Sequence, residues 1–303
     1  MPDAKPKLLL IGASGFIGGW LAELSRGRFD VIEASRGLTD RVAAGNRAIA
    51  LDITDEASVD AVFEQVRPNA VILAAALADV DRCEREPDVA QEINVAGAVC
   101  VARQCRRYAA RLLYTSTDAV FDGALGGYDE DAMPTPPNQY GRSKADAEAG
   151  IREILPSATI VRYSLVLGFT RTPHANSYLD RLASTLRAGQ KIEVPITEFR
   201  NPIDIQTLAE ILFDLIDRDD ASGVFHIGAT DKLARQELAR RIAVALGCPG
   251  DLIQPLAALP SGRAKRSTDS FLICRRLPRL TGRAMPTCDE VIARAVQTSV
   301  GQT

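Results

Sequence analysis

Tyr140 and Lys144 stand four residues apart in the run Tyr140-Gly141-Arg142-Ser143-Lys144. On a helix, one turn of about 3.6 residues brings the phenol and the ammonium onto the same face. A free tyrosine titrates near ~10, too high for ready proton transfer at neutral pH. A cation one turn away favours the phenolate and brings the group closer to a useful range. A hydroxyl cluster, Thr115-Ser116-Thr117, lies upstream. An alcohol, a phenol and an amine suit a carbonyl that becomes an alkoxide, which needs preplaced donors and one transferable proton. A Tyr/Lys pair by itself also decorates ordinary solvated helices, so its meaning depends on the elements that position it.

Those elements alternate along the first two-thirds of the chain. Apolar runs predict strands at Lys7–Ile11, Asp30–Ala34, Ala48–Leu51, Ala70–Ala74, Arg111–Thr115, Thr159–Tyr163 and Val224–Ile227. Helical patterns fall near Gly18–Ser25, Ser58–Val66, Val89–Tyr108, Gln139–Ile154 and Gln206–Asp217. Strands without polar alternation, each followed by a helix, indicate parallel pairing with both faces covered. The expected fold is therefore a doubly wound α/β sheet. After Gly168 the rhythm changes. Pro173 and Pro195 bracket a helix at Ser177–Ala188, and from Ala234 the pattern reads helix, Pro/Gly-rich loop and a final helix near Asp289–Gln297. We expect a dinucleotide-binding domain at 1–167, rejoined at about 200–227. A smaller, mostly helical substrate lobe takes 168–199 and 228–303.

The first strand runs into Gly12-Ala13-Ser14-Gly15-Phe16-Ile17-Gly18, which opens the first helix. Gly12 permits the tight turn, Gly15 lets backbone approach a pyrophosphate, and Gly18 allows close helix packing. The loop residues Gly12, Ser14, Gly15, Phe16, Ile17 and Gly18 are thus candidates for cofactor binding, helped by the free N–H groups and dipole of the helix start. An NAD site would place Asp or Glu at the end of the second strand. Here Ser35 takes that place and Arg36 follows, a guanidinium suited to a 2′-phosphate. NADP(H) is therefore the preferred cofactor, with NAD(H) left open. Glu33 is expected to be turned away from the pocket by strand alternation. Asp52 and Ile53 would flank the adenine, and Ala74, Ala75 and Ala76 are small enough for the cofactor to pass. Asn94 falls on the long fourth helix, as a structural hydrogen-bonder or a cofactor contact.

Composition narrows the classes. The 303 residues are 46% hydrophobic and 25% charged with a formal net charge of −3, which gives no electrostatic reason to expect nucleic acid. Arginines between Arg263 and Arg283 could form a local anion site. The six cysteines show no metal-ligand spacing, so no metal is expected. The apolar run Leu8 to Ile11 is only strand-length, and no stretch approaches the ~20 apolar residues of a membrane span. A reducing, cytoplasmic setting is the expectation. His226 alternates with apolar neighbours on a strand and reads as structural; His174 lies in a Pro-containing loop. Arg162 and Arg200 could meet a diphosphate or form structural ion pairs.

Along essentially its whole length the chain resembles the extended short-chain dehydrogenase/reductase family, nearest its dTDP-4-dehydrorhamnose reductase branch. The matching stretches are Ala78-Asp79-Val80-Asp81-Arg82-Cys83-Glu84, Asn94-Val95, Ser116-Thr117-Asp118-Ala119-Val120-Phe121-Asp122-Gly123, Tyr140-Gly141-Arg142-Ser143-Lys144 and Val224-Phe225-His226-Ile227. The resemblance implies a Rossmann-type fold and NAD(P)H-dependent reduction of a keto sugar, a nucleotide-linked 4-keto-6-deoxy sugar above all. It implies that Thr117 hydrogen-bonds the substrate carbonyl, with Ser116 as the fallback. Tyr140 would be the general acid, and Lys144 would support it and bind the nicotinamide ribose. Asp79, Val80, Thr117, Tyr140 and Leu165 are the implied substrate contacts. Related dehydratases carry Asp then Glu after the same Thr; here Asp118 is followed by Ala119, which fits simple carbonyl reduction. Leu165 stands where the branch usually has a stacking Trp. An epimerase or a reductase of another carbonyl remains the alternative. So does a regulatory subunit resembling the β subunit of methionine adenosyltransferase, which binds dinucleotide without turnover. A homodimer is left open.

Overall fold

The run Lys7–Ile11 (β1) is apolar on both sides because both sides are covered. Leu8 and Leu10 belong to one buried cluster and Leu9 and Ile11 to another. The computed structural model describes residues 5–25, 27–37, 43, 45–172, 175–257 and 262–297. Around β1 lie Asp30–Ser35 (β2), Arg47–Ala50 (β3), Ala70–Leu73 (β4), Arg111–Thr117 (β5), Thr159–Tyr163 (β6) and Gly223–Ile227 (β7). All pair in parallel, in the order β7-β6-β5-β4-β1-β2-β3. The order reverses beside β1, so loops after β1 and β4 diverge there and leave a crevice at the strand C-termini. Every predicted strand appears in this sheet, with ends moved by two residues at most.

The helices supply the two covering layers. Phe16–Leu24 (α1) and the helix Ile205–Ile216 pack on the Leu8/Leu10 face, whereas Glu56–Val66 (α2) and residues 98–107 cover the other. The helix expected at Val89–Tyr108 is a continuous run over 87–107 whose middle, Gln91–Gly97, is wound as a π-helix. A short helix at Val80–Arg85 (α3) was not foreseen, since six residues are too few to show a helical period; Asp79 caps it by accepting from the Arg82 N–H at 2.9 Å. A second short helix, Arg276–Thr281, occupies part of the expected loop. Pro173 and His174 lie outside the described residues.

Helix Gln139–Ile154 (α4) carries Tyr140 and Lys144, with the predicted bounds. Asn138 starts it by accepting from the Gly141 N–H at 2.8 Å. A buried ion pair locks it to the sheet. Arg162 of β6 donates to Glu148 through Nε (3.0 and 3.1 Å) and Nη2 (2.6 Å), and both side chains are 2% exposed or less. Arg162 is thus a structural partner, not a diphosphate ligand. His226 packs against it, fully buried, with its pKa driven down to about 3 by burial and by the Arg162 charge.

Beyond β6 the chain makes small pairings of its own. Residues Ile192–Pro195 run parallel with Ile253–Leu256, and Phe199–Arg200 run antiparallel to Leu233–Ala234. Helix Tyr178–Arg187 contributes Leu179, Leu182 and Leu186 to the same apolar cluster as Trp20 and Leu10. Among the described residues no helix is long and apolar enough to cross a membrane.

Removing one partner of the Arg162–Glu148 pair leaves an uncompensated buried charge, a loss of about 3–5 kcal/mol. Arg162→Ala should therefore lower the urea midpoint sharply. Arg162→Met combined with Glu148→Leu should recover most of that loss. A single variant as stable as the parent would show that the pair does not hold the helix.

Candidate active site

The crevice beside β1 contains a cavity of about 370 Å³. Gly12, Ser14 and Gly15 form its floor, Ser35, Arg36, Asp52 and Ile53 one end, and Ala74, Ala75, Ala76 and Leu77 the other. Gly12 has a φ of +96°, and a Cβ there would fall 2.5 Å from the Ala75 nitrogen, so only glycine lets the first turn lie against the end of β4. A Cβ on Gly18 would fall 2.1 Å from the Gly12 oxygen. Gly15 is the N-cap of α1 and has no side-chain cap, which leaves the first N–H groups of the helix free for a ligand. A bare loop, a free helix start and an elongated cavity ending at a guanidinium fit a dinucleotide.

Not every predicted contact lines this cavity. Phe16 and Ile17 pack into the core and Gly18 is buried, so these three can offer only backbone N–H groups. Glu33 is indeed kept out, but not by alternation: two residues apart, Glu33 and Ser35 share a face of the strand. What holds Glu33 back is its place one repeat earlier, where its carboxylate accepts from Ala43 N and Asn46 Nδ2, both at 2.8 Å. The Asp52 carboxyl is held below its usual range, first by hydrogen bonds from Thr54 and, less strongly, by the charge of Arg36. Arg82, Val89, Glu92 and Ile93 also line the cavity and were not foreseen as site residues.

Asn94 is not a cofactor contact. Its Oδ1 accepts from Leu77 N at 2.8 Å, and its Nδ2 donates to Leu77 O at 3.1 Å and Ser143 Oγ at 3.0 Å. The buried amide pins the loop at Leu77 to α4. The extra residue of the π-turn at Gln91–Gly97 accompanies this placement.

Two of the three expected groups, Tyr140 and Thr117, meet beside the part of the cavity lined by Leu77, Val89 and Ile93. Tyr140 packs on the cluster of Leu77, Val89 and Ile93, and its phenol hydrogen-bonds the Thr117 side chain. Alternation along β5 separates the hydroxyls. Ser116 points to the opposite face and donates to Glu148 at 2.5 Å, so it is not available as a fallback for Thr117. Thr117 donates to Asp118 Oδ1 at 3.2 Å and accepts from Ala119 N at 3.1 Å. Tyr163 stands opposite Thr117 in the β5–β6 register. Its pKa is pushed up to about 12 by burial, with a hydrogen bond from Thr115 opposing.

Lys144 is 2% exposed; its Nζ donates to Thr115 O at 2.7 Å and lies 4.0 Å from the centre of the Tyr114 ring. Burial lowers its pKa to about 7, against the pull of Glu148. The expected lowering of Tyr140 does not occur: burial raises the phenol, Tyr163 adds to this, and the Thr117 hydrogen bond opposes it. The physical reason is that the lysine is itself desolvated and gives its proton to a carbonyl of β5.

The remaining predicted residues have structural partners. Asp79 is spent on capping α3, Val80 is half-buried, and Leu165 packs on the core. Arg200 pairs with Asp118 and Glu198, both at 3.5 Å, and donates to backbone carbonyls at 199, 267 and 268. A smaller cavity of about 160 Å³ lies in the later part of the chain, lined by Tyr178, Val194, Glu198, Arg235, Arg263 and Arg266 among others.

The lysine pKa gives a testable sign. Lys144 falls from an ordinary 10.5 to about 7 in the folded protein, so the unfolded chain binds more protons between those values. Its burial cost is complete below about pH 7 and vanishes above pH 10.5. Lys144→Met should therefore gain stability relative to the parent as pH falls from 10 to 7, by an amount on the order of a few kcal/mol. A stability difference that does not vary over that window, followed by urea denaturation, would contradict the desolvated lysine.

Comparison with known proteins agrees with this geometry. A dTDP-4-keto-6-deoxy-D-glucose reductase of Streptomyces niveus is 32% identical over 257 residues, 84% of this chain and 82% of that protein. The methionine adenosyltransferase 2 subunit beta of Xenopus laevis is 25% identical over 279 residues, 90% of this chain and 82% of that one. The structure of dTDP-4-dehydrorhamnose reductase from Bacillus anthracis in complex with NADP superposes with a TM-score of 0.85 at 29% identity, covering 96% of this chain and 98% of that one. Residues 6–300 match the family described as RmlD substrate binding domain. The chain belongs to that family, within the dTDP-4-dehydrorhamnose reductase-like branch of the extended short-chain dehydrogenases/reductases.

Proposed function

We propose that this protein is an NADP(H)-dependent reductase of a keto group on a nucleotide-linked sugar. The observation that carries the reading is the hydrogen bond between Tyr140 and Thr117 beside Leu77, Val89 and Ile93, which line a cavity that Gly12, Gly15, Ser35 and Arg36 also line, with Lys144 one turn along the same helix. The bound coenzyme would supply hydride to the carbonyl carbon. Tyr140 keeps its proton at neutral pH because burial raises its pKa, so the proton is in place when the carbonyl oxygen gains negative charge. An alkoxide is a far stronger base than a phenolate, so transfer from even a raised phenol runs downhill. Thr117 is placed to share that oxygen. Lys144, near half-protonation at about pH 7, can restore the phenol's proton or hold a ribose hydroxyl.

Arginines 235, 263 and 266 on the smaller cavity support an anionic, diphosphate-bearing substrate. Residues 168–199 and 228–303, the lobe expected from the sequence, would then bind the substrate. The bound NADP and the nucleotide-sugar reductase activity named for the relatives support the same reading.

Arg36→Ala should weaken NADPH about tenfold or more in a fluorescence titration, in keeping with the loss of a charge-assisted phosphate contact, and leave NADH nearly unchanged. Equal losses for both coenzymes would remove the 2′-phosphate assignment.

Turnover is tested by NADPH oxidation against keto sugar nucleotides. Tyr140→Phe should cut kcat by roughly 10²-fold or more while coenzyme affinity stays. NADPH binding without turnover of any carbonyl in the panel would favour a regulatory dinucleotide-binding subunit instead.

A further inference from the structure

Residues 262–270 are tied to the start of α4, to α3 and to the turn that follows β5. Asn138, the cap of α4 next to Tyr140, donates to Lys265 O at 2.7 Å. Ser267 Oγ and Thr268 Oγ1 donate to the carbonyls of Phe121 and Gly123, at 2.5 and 2.8 Å. On the other side Asp81 of α3 accepts from Ala264 N at 2.9 Å and pairs with Arg266 at 3.0 Å and Arg263 at 3.4 Å. Ser270, fully buried, donates to Asp118 Oδ2 at 2.5 Å.

Asp118 is the point where this strap meets the chemistry. Its Oδ2 also accepts from Ser164 Oγ at 2.9 Å and faces Arg200 Nε at 3.5 Å. Its Oδ1 accepts the proton of Thr117 at 3.2 Å. Thr117 has one hydrogen to give and two lone pairs. The hydrogen goes to Asp118, and the oxygen accepts from the Ala119 N–H. The direction of the Thr117 hydroxyl is therefore set by where the Asp118 carboxylate lies, and Ser270 and Ser164 fix that carboxylate.

We propose that Ser270, on the strap formed by residues 262–270, is a positioning residue that holds Asp118 and, through it, fixes the Thr117 side chain beside Tyr140. Asp118 and Ser270 are positioning residues, with no proton transfer of their own. This rests on the reductase reading for its kinetic consequence but not for its structural one. A misplacement of about 1 Å can cost on the order of 10²-fold in rate, so loss of one anchoring hydroxyl has a measurable effect.

The test uses the full chain with Ser270→Ala, which deletes a single hydroxyl. Thr268→Val is the control, since it loosens the same strap at Gly123 without touching Asp118. The readout is the χ1 rotamer of Thr117, from its methyl resonance and couplings, followed by kcat and KM for keto sugar nucleotide reduction. Ser270→Ala should move Thr117 from its rotamer and lower kcat about tenfold with KM little changed, an effect within the range for misplaced groups. Thr268→Val should lower the melting temperature and leave both unchanged. A Thr117 rotamer that is the same in Ser270→Ala as in the parent overturns the proposal, as does an equal displacement in Thr268→Val. A parent protein without turnover overturns the reductase reading alone, because the rotamer still decides the role of the strap.

Discussion

The removal of Lys144 from water is the constraint around which the site is arranged. An ammonium held 2% exposed beneath the ends of β4 and β5 can stay there only if its surroundings replace the lost hydration. The replacements are a carbonyl of β5, the face of Tyr114, and the charge of Glu148 one helical turn further on. Glu148 in turn is tolerated in the interior because Arg162 and Ser116 saturate it. The buried row from Lys144 to Arg162 thus joins helix to sheet through charges that cannot be satisfied anywhere else. It fixes the register of α4, and with it the place of Tyr140.

Strand alternation divides this end of the sheet into two chambers. Ser116 and Arg162, neighbours in the β5–β6 register, face α4 and serve the buried row. Thr117 and Tyr163, the next pair along, face the other way. One set of side chains supplies rigidity and the next supplies chemistry, which is how a site on strand ends holds its geometry closely. The same logic explains Asn94. Its amide joins the loop at Leu77 to Ser143, which ties the cavity wall to α4.

Much of this was legible in the sequence, for identifiable reasons. The seven strands were readable because parallel strands buried on both faces appear as unbroken apolar runs, and the glycine loop because its spacing is dictated by backbone approach. The helix at Gln139–Ile154 was found to the residue, and in the structure Asn138 caps its start. Tertiary partners were less readable. Nothing local shows that Ser116 is consumed by Glu148, or that Asp118 is shared by Ser164, Ser270 and Arg200 across long separations. Glu148 could have been found: it lies four residues after Lys144, as Lys144 does after Tyr140. The short helix at Val80–Arg85 could not, because six residues do not show a period.

The raised phenol and the lowered lysine are one effect seen twice. Burial disfavours whichever form carries charge, so it keeps Tyr140 protonated and makes Lys144 ready to release its proton. A permanent cation would lower the phenol beside it. Burial lowers the lysine as it raises the phenol, and both shifts oppose the effect of a permanent cation. Proton delivery then depends less on a pre-ionised tyrosine than on a substrate oxygen becoming basic as hydride arrives. In that arrangement the orientation of Thr117 matters as much as any pKa. In the proposed reduction its place beside the phenol would limit where the substrate oxygen can lie.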